Sequence, residues 1–320
     1  MDLLSDILVH LKLKGTLYFR TSFTSPWSVR VPAYKDVARF HYVHQGRCLV
    51  RIEGVGAPVP IEQGDLIIIT RGAVHTLYSE QDNEHPVAEL DQVIEQSGFT
   101  GQGTLVYGEF GSNHETQLVC GHFAFDEHST HPIMEALPPC IHIRDYGHSS
   151  GSWLENTLRV IGAEAGRQNL GSDLISLKLS EIVFTQVLRS YLETEGSTNP
   201  ALAGYTDKRI TRALKAIHNE PQHGWTLDTL ASTAGMSRTS FATTFTRYLS
   251  ISPLAYLTQW RMELARQQLL DTTEPLIHIA ANAGYQSEAA FSRVFKKHYE
   301  VAPATYRRTY QQAESGYVSG

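Results

Sequence analysis

The sequence predicts an α+β, multidomain protein with an N-terminal β-barrel flanked by helices and a C-terminal all-α domain with two helix-turn-helix units. Three observations lead to this fold class. Short β-rich runs fill the front half, helical periodicity fills the back half, and one small pattern occurs twice in the back half. The chain has 320 residues, which is long enough for two domains with separate cores.

The front half begins with a predicted helix, because apolar residues from Leu3 to Leu13 follow helical spacing. From residue 16 to 125 the sequence predicts a barrel or sandwich, because runs rich in Val, Ile, Tyr and Phe alternate with Gly and Pro. The polar stretch Asp82–Gly103 is predicted as a long loop. The predicted strands are Trp27–Val31, Phe40–His44, Cys48–Ile52, Leu66–Thr70, His75–Tyr78, Thr104–Glu109 and Gln117–Phe125.

A long helix is predicted over Asp173–Glu193, and its apolar residues cover more than one face. This pattern fits burial within one domain and equally fits contact with a second copy of the chain. Residues 195–206 lack periodicity and contain Gly and Pro, so they are predicted to be a linker. The predicted organisation is therefore an N-terminal domain over 1–194, the linker over 195–206, a helical C-terminal domain over 207–312 and a tail over 313–320.

The repeated pattern consists of an Ala-Gly pair, two Phe four residues apart, and a Pro eight residues after the second Phe. The second copy has one additional residue in its turn. The pattern residues are Ala234, Gly235, Phe241, Phe245 and Pro253 in the first copy, and Ala283, Gly284, Phe291, Phe295 and Pro303 in the second.

Each copy predicts two helices joined by a tight turn. In the first copy Thr226 can cap a helix over Leu227–Ala234, and Gly235 suits the left-handed conformation that ends it. Ser237 can cap the following helix. The second copy predicts a helix over Leu276–Ala283 and a second helix that Ser287 caps.

The two Phe of each second helix share one face and must be buried, so the other side chains point outward. Small polar and basic side chains on such a helix can reach base edges and phosphates, whereas a solvated face is the alternative for a single copy. Two matched copies favour DNA reading. The predicted contacts are Ser237, Arg238, Thr239, Ser240, Thr243, Thr244 and Arg247, and Gln286, Ser287, Glu288, Ser292, Arg293, Lys296 and Lys297.

Charge separates the two halves of the chain. The net charge is −6 overall, but residues 1–206 carry a net charge of −10 and residues 207–312 a net charge of +5. A basic domain can approach phosphate, which supports DNA binding by the second half.

Residues 207–310 resemble the DNA-binding domain of the AraC family of transcription regulators. The resemblance implies seven helices, with Pro253–Leu270 connecting two recognition helices that enter successive major grooves. It also implies a regulator that binds double-stranded promoter DNA and acts with RNA polymerase. The residues that carry it are Leu230-Ala231, Met236-Ser237, Phe241, Phe245, Ser252-Pro253, Tyr256-Leu257, Arg261, Ala265, Leu269-Leu270, Ile279-Ala280, Gly284-Tyr285, Ser287, Phe291, Phe295, Pro303 and Tyr306-Arg307.

The chain departs from this family at three positions. Ser250 and Glu300 stand where the family commonly has Gly, and Thr244 stands where it often has Arg. Arg261 matches the family but lies in the connecting helix, so it is expected to brace the two units rather than contact DNA.

The front half resembles the cupin-type sensory domain, through Phe40–Gly46, Gly64–Ile67, Arg71–His75 and Val119–Phe123. In metal-binding cupins these motifs supply three His and a Glu. Here His41 and His75 match two of the His, Val43 replaces another, and Cys48 stands in the position of the Glu.

Three kinds of sensory site remain open. His41, Cys48 and His75, with Cys120 or His122, could hold a divalent metal such as zinc. Cys48 and Cys120 could sense an oxidant. Aromatic residues could line a pocket for a small effector; the candidates are Trp27, Tyr34, Phe40, Tyr42 and Tyr78. The domain could also serve dimerisation only.

The sequence contains no hydrolase nucleophile elbow, no phosphate-binding loop and no dinucleotide-binding fingerprint, so we do not expect an enzyme. The alternative is a metal-dependent cupin enzyme fused to a DNA-binding module. Three Cys do not form a disulfide framework, the first residues do not predict a secretory signal, and no apolar run reaches about 20 residues. We expect a cytoplasmic protein without membrane contact, as a monomer or homodimer.

Overall fold

The computed structural model describes residues 2–79, 86–101, 103–108, 115–126, 131–144, 156–157, 160–161, 164, 170–196 and 199–317. The chain divides into two compact units. The barrel unit comprises Leu11–His128 and Leu137–Tyr191. The helical unit comprises Met1–His10, Ser129–Ala136 and Leu192–Gly320.

The barrel unit consists of two facing sheets. The six-stranded sheet has the order β11-β6-β3-β10-β1-β9, and the five-stranded sheet has the order β5-β4-β7-β2-β8. Buried side chains from both sheets form one hydrophobic core. The strands are β1 (Lys14–Thr24), β2 (Ser28–Val31), β3 (Val37–Gln45), β4 (Arg47–Ile52), β5 (Val59–Glu62), β6 (Leu66–Ile69), β7 (His75–Tyr78), β8 (Ala88–Glu89), β9 (Thr104–Gly108), β10 (Glu115–Ala124) and β11 (Cys140–Ile143).

The stretch Asp82–Gly103 is not one loop, and that prediction is wrong. It contains β8 and the helix α2 (Leu90–Ser97), although residues 82–85 and 102 lie outside the described residues. The amide of Glu89 donates to Gln92 Oε1 at 3.2 Å, and Gly98 ends the helix with φ +64°. Val93 is fully buried, and Leu90 and Ile94 pack partly buried against the same core, so three apolar side chains anchor this short helix.

The predicted long helix is α4 (Ser172–Glu195). Val183, Phe184 and Val187 are buried, and the ring centroid of Phe184 lies 4.7 Å from that of Phe123 on β10. Leu174 and Ile182 are exposed. One face of α4 therefore packs on the barrel, and apolar residues remain on another face.

The helical unit contains the seven helices that the family resemblance implies, from Lys208 to Tyr317. They follow α1 (Leu3–His10), α3 (Pro132–Ala136) and the short α5 (Ala203–Thr206). The seven are α6 (Lys208–Asn219), α7 (Leu227–Ala234), α8 (Arg238–Leu249), α9 (Pro253–Asp271), α10 (Leu276–Asn282), α11 (Glu288–Tyr299) and α12 (Pro303–Tyr317). Among the described residues, no helix is both long and apolar enough to cross a membrane.

A buried chain of hydrogen bonds joins α1 and α3 to α6 and α9. The amide of Ile133 donates to His131 Nδ1 at 3.2 Å, so the neutral His131 ring donates from Nε2 to Tyr256 Oη at 3.0 Å. Tyr256 then donates to His218 Nε2 at 2.7 Å, and His218 Nδ1 donates to Asp6 at 2.5 Å. Each donor in this chain has an acceptor when both histidines are neutral.

The histidines of this chain are held in their neutral form. Burial lowers the pKa of His131 well below its ordinary value. Burial also lowers the pKa of His218, and the hydrogen bond to Asp6 opposes that change in part. The ring of Trp260 stacks on His218 with a centroid distance of 3.7 Å.

Candidate functional site

The helices α8 and α11 begin in the same way. The hydroxyl of Ser237 accepts the amide of Ser240 at 3.3 Å, and the hydroxyl of Ser287 accepts the amide of Ala290 at 3.2 Å. Both caps confirm the predicted helix starts. The first helix of the second copy ends at Asn282, one residue earlier than predicted.

The two copies also bury their phenylalanines alike. Phe241 and Phe245 lie 5.5 Å apart between ring centroids, and Phe291 and Phe295 lie 5.5 Å apart. All four side chains are fully buried. The repeated residues are therefore scaffold, which places α8 and α11 in equivalent local settings.

The predicted DNA contacts lie on the outer faces of α8 and α11. Thr244 and Ser292 are half-buried. The remaining twelve are exposed: Ser237, Arg238, Thr239, Ser240, Thr243, Arg247, Gln286, Ser287, Glu288, Arg293, Lys296 and Lys297. These side chains are available to a partner, and their contact with DNA remains a prediction.

The outer faces differ in charge at equivalent positions. When Phe241 is aligned with Phe291, Arg238 in the first copy is equivalent to Glu288 in the second, and Thr243 is equivalent to Arg293. An arginine favours guanine, whereas a glutamate can accept from a cytosine amino group. Glu288 also lies in the first turn of α11, where a negative charge stabilises the helix.

Arg261 lies between the loop that joins α6 to α7 and the second turn, a position that fits the predicted bracing role. Its Nε donates to the carbonyl of Pro221 at 2.7 Å and its Nη2 to the carbonyl of His223 at 2.9 Å. Gly284 has φ +76°, and a Cβ there would lie 2.6 Å from Arg261 Nη2. The turn therefore requires glycine for its backbone conformation and for the close approach of Arg261.

The backbone conformation of Ser250 and Glu300 explains why the family commonly has glycine at these positions. Both residues end their helices in the left-handed conformation, with φ +60° and +63°. A side chain in this conformation costs free energy that glycine does not. The departures at these positions thus keep the turn and add backbone strain.

The barrel core contains a second polar chain, formed by three of the predicted sensory residues. His75 Nδ1 lies 2.9 Å from the carbonyl of Ala73 and donates to it, so His75 Nε2 accepts from His41 Nε2 at 2.8 Å. His41 Nδ1 is then left to accept the Cys120 thiol proton at 3.1 Å. Burial lowers the pKa of His41 well below its ordinary value and that of His75 to about 4, so both rings are neutral.

These residues do not form the predicted metal site. Cys120 and His75 contact opposite nitrogens of the His41 ring, so the three side chains do not converge on one point. Cys48 is buried in the hydrophobic core. Within the described ranges, no group of three or more His, Cys, Asp or Glu is arranged to hold a metal ion. The ligand set of His41, Cys48, His75 and Cys120, and with it zinc binding, is therefore not supported.

Burial also determines the protonation state of the two cysteines predicted to sense an oxidant. It raises the pKa of Cys120 to about 12, although the charge of Arg39 acts in the opposite direction. It also raises the pKa of Cys48. Both thiols are protonated at neutral pH, and a protonated thiol is a poor nucleophile. This environment does not favour Cys48 or Cys120 as an oxidant sensor.

A narrow pocket lies beside this chain, inside the barrel. Its empty space totals about 380 Å³ including the part open to solvent, and the centre of a water molecule can occupy about 20 Å³ of it. The residues that line it are Phe19, Thr21, Phe23, Val29, Val31, Arg39, His41, Leu77, Leu90, Leu118, Cys120 and Gly121.

Strand alternation explains why the predicted effector residues are elsewhere. Arg39 and His41 are two apart on β3 and face the pocket, so Phe40 and Tyr42 between and after them face the other side. Phe40 stacks on Phe123 at 5.0 Å. Tyr78 alternates in the same way with Leu77, and Tyr34 packs its ring against Arg39 at 4.2 Å.

Trp27 lies just before β2 and belongs to the core, with its ring 4.9 Å from Phe23. None of the five predicted aromatic residues lines this pocket. Strand alternation could have identified the pocket-lining residues of β3, because residues two apart from His41, such as Arg39, share its face.

Comparison with known proteins gives the family. The family described as Cupin matches residues 2–193, and the family described as Helix-turn-helix domain matches residues 230–309. A putative AraC-like transcription regulator of Streptomyces antibioticus is 32% identical over 96% of this chain and 99% of its own length. The HTH-type transcriptional regulator AlkR of Acinetobacter baylyi is 31% identical over 96% of this chain and 99% of its own length.

A third relative, the HTH-type transcriptional regulator MtrA of Neisseria gonorrhoeae, is 26% identical over 96% of this chain and 98% of its own length. These relatives are named as regulators and match both halves of the chain together. The chain belongs to the AraC-like transcription regulators, with an N-terminal cupin domain and a C-terminal helix-turn-helix DNA-binding domain.

Proposed function

We propose that α8 and α11 read two unlike major-groove segments of promoter DNA, about one helical turn apart, within a single chain. The observation that carries this proposal is the pair of equivalent helices whose exposed side chains differ. Identical caps and buried Phe pairs set the same backbone, while Arg238 and Thr243 are replaced by Glu288 and Arg293. One monomer therefore reads an asymmetric site.

Within this proposal, double-stranded promoter DNA is the partner and RNA polymerase is the protein on which the bound regulator acts. The chain works in the cytoplasm as a monomer or homodimer. The cupin domain supplies the signal by binding a small molecule in its barrel, and this binding must differ between states that bind DNA differently. The enzyme alternative depends on a metal site for which the described part of the chain supplies no ligand group.

The test is selection of bound sequences from random duplex DNA by the full chain. We expect one motif with two different halves, and affinity that falls as salt concentration rises. Arg238→Ala should relax base preference in one half only, and Arg293→Ala in the other, each by about 1–3 kcal/mol of discrimination.

Lys215→Ala is the matched control, because Lys215 is an exposed basic residue on α6, outside the reading helices. It should leave base preference unchanged. A palindromic motif, or variants that weaken both halves equally, would rule out the proposed reading.

A further inference from the structure

The helix α1 belongs to the helical unit, although the family match described as Cupin includes it. Three of its side chains, Leu3, Ile7 and Leu8, are buried, whereas Val9 on its outer side is 60% exposed. A terminal segment is ordered only where it is tied down, and buried side chains tie α1 to the unit. The polar contacts of α1 are therefore made from a fixed position.

One polar contact of α1 leads to the first reading helix. Asp6 accepts from His218 Nδ1 on α6 at 2.5 Å, and His218 Nε2 accepts from Tyr256 Oη at 2.7 Å. The ring centroid of Tyr256 lies 5.8 Å from that of Phe245 on α8. Phe245 is one of the two buried Phe that hold α8 in its unit. A displacement of α1 would therefore disturb the core against which α8 packs.

A second contact of α1 leads to the second reading helix. The carbonyl of His10 accepts from Gln267 Nε2 on α9 at 2.6 Å, and the same nitrogen donates to Glu263 Oε1 at 3.0 Å. Glu263 Oε2 in turn accepts at 3.2 Å from the hydroxyl of Tyr299, the last residue of α11. A carbonyl and a carboxylate can only accept, so both N–H groups of the Gln267 amide are used.

The two contacts lie one turn apart on α1. Asp6 and His10 are four residues apart, so they share one face of the helix and are about 6 Å apart along its axis. The helix α9 also reaches both cores, through Tyr256 beside Phe245 and through Met262 in the core of the second unit. Two units joined by one helix can tilt about it, whereas α1 adds a second connection between α6 and α9.

We propose that α1 is a positioning element that fixes α8 and α11 relative to one another. Without it, each unit keeps its own core and its own outer face, and the distance between the two reading helices varies. This frame is a property of the protein alone. Its consequence for DNA, a strict spacing between two half-sequences, rests on the proposed function.

The first test measures the distance between α8 and α11 in the full chain without DNA. Spin labels are attached at Thr246→Cys and Ala289→Cys, two exposed positions outside the predicted contacts, in a chain that also carries Cys140→Ser. Pulsed electron paramagnetic resonance then gives the distribution of distances between the labels.

Two matched variants decide the outcome. Ile7→Asp places an unpaired charge on the buried face of α1 and should detach the helix, whereas Val9→Asp places the same charge on the exposed face. The distribution should be narrow in the parent chain and in Val9→Asp, and about twice as wide or more in Ile7→Asp. A distribution that stays narrow in Ile7→Asp, while the amides of α1 exchange freely with solvent, overturns the proposal.

A milder variant keeps the test decisive if Ile7→Asp fails to fold. Gln267→Met removes only the link from His10 to Glu263 and leaves the contacts of Glu263 with Arg266 and Tyr299 in place. It should also widen the distribution. An unchanged width would contradict the second connection.

The second test uses the duplex that the full chain selects, and duplexes with one base pair added or removed between the halves. Two linked modules gain affinity only when both sites are reached together, so the parent chain and Val9→Asp should lose about 10- to 100-fold at the altered spacing. Ile7→Asp should bind the selected duplex more weakly but lose less than about 3-fold at the altered spacing. Equal losses for Ile7→Asp and Val9→Asp would contradict a role of α1 in spacing.

The two tests separate this proposal from the proposed function. If the distance distribution widens in Ile7→Asp but the parent chain selects no two-part motif, the positioning role stands and the DNA-reading proposal fails. If a two-part motif is selected but the distribution stays narrow, the reverse holds.

Discussion

Replacing Tyr256 with phenylalanine removes one hydroxyl from the middle of the buried chain from His131 to Asp6. The hydroxyl accepts from His131 Nε2 and donates to His218 Nε2, so the variant leaves a donor and an acceptor without their partner. Tyr256 is 2% exposed, so water does not replace the lost group readily. Each unsatisfied buried group costs about 1–3 kcal/mol, so with two such groups the helical unit should lose about 2–6 kcal/mol of unfolding free energy.

The assay is urea unfolding of the full chain, followed by far-ultraviolet circular dichroism, which reports mainly on the helical unit. Tyr248→Phe is the matched control, because it removes the same atom from a half-buried ring on α8. The control should change stability by less than about 0.5 kcal/mol. Equal losses for the two variants would refute the reasoning.

A double-mutant cycle tests whether the groups act as one chain. Asp6→Asn alters the acceptor of His218, and its cost should fall when Tyr256→Phe has already broken the chain. We expect a coupling energy of about 0.5–3 kcal/mol, as for groups within one hydrogen-bond network. Strict additivity would show that the contacts are independent.

The remaining predictions concern strain, bracing and pH. Ser250→Gly and Glu300→Gly should each raise the unfolding free energy of the helical unit by about 0.5–1 kcal/mol in urea unfolding. Glycine removes the strain of the left-handed conformation, and the entropy it adds to the unfolded state offsets part of this gain. Thr272→Gly should lower stability instead, because Thr272 ends its helix in an extended conformation. Arg261→Met should lower stability by about 1–3 kcal/mol through its two carbonyl contacts while leaving base preference unchanged, and a changed motif would contradict the bracing role. The pKa of His75 falls from 6.5 to about 4 on folding, so the neutral ring contributes fully to barrel stability above about pH 6.5, and this contribution is lost as pH decreases. Near pH 5 the loss of unfolding free energy is about 2 kcal/mol for this residue alone. A barrel whose stability is constant between about pH 7 and 5 would contradict the neutral core.

The helical unit could be predicted from the sequence in detail because its signals are local. Caps such as Thr226 and Ser237, and glycine at 235, act on residues within one or two turns. The two Phe of each copy report their buried face through spacing alone. The predicted bounds of these helices therefore agree with the observed ones to within one or two residues.

The barrel was less predictable because its pairings join distant residues. The register that brings Cys120 beside His41 spans most of the domain and leaves no local trace. The same is true of the contact between His41 and His75, which belong to different sheets. The cupin resemblance identified both histidines, but only the fold shows that they hydrogen-bond to one another.

The docking of α1 in the helical unit also lacks a sequence signal. Its apolar spacing predicts a helix but does not say which core the helix joins. The deciding groups are single polar contacts, such as Asp6 with His218, more than two hundred residues away. Pairs of this kind cannot be read from periodicity.

The most direct test of asymmetric DNA reading copies the second helix's side chains onto the first. The variant carries Arg238→Glu and Thr243→Arg, which gives α8 the residues found at the equivalent positions of α11. Circular dichroism should match the unmodified chain, because both positions are exposed. Sequence selection should then yield a motif whose two halves have become alike. An unchanged asymmetric motif would contradict the claim that these residues read the DNA.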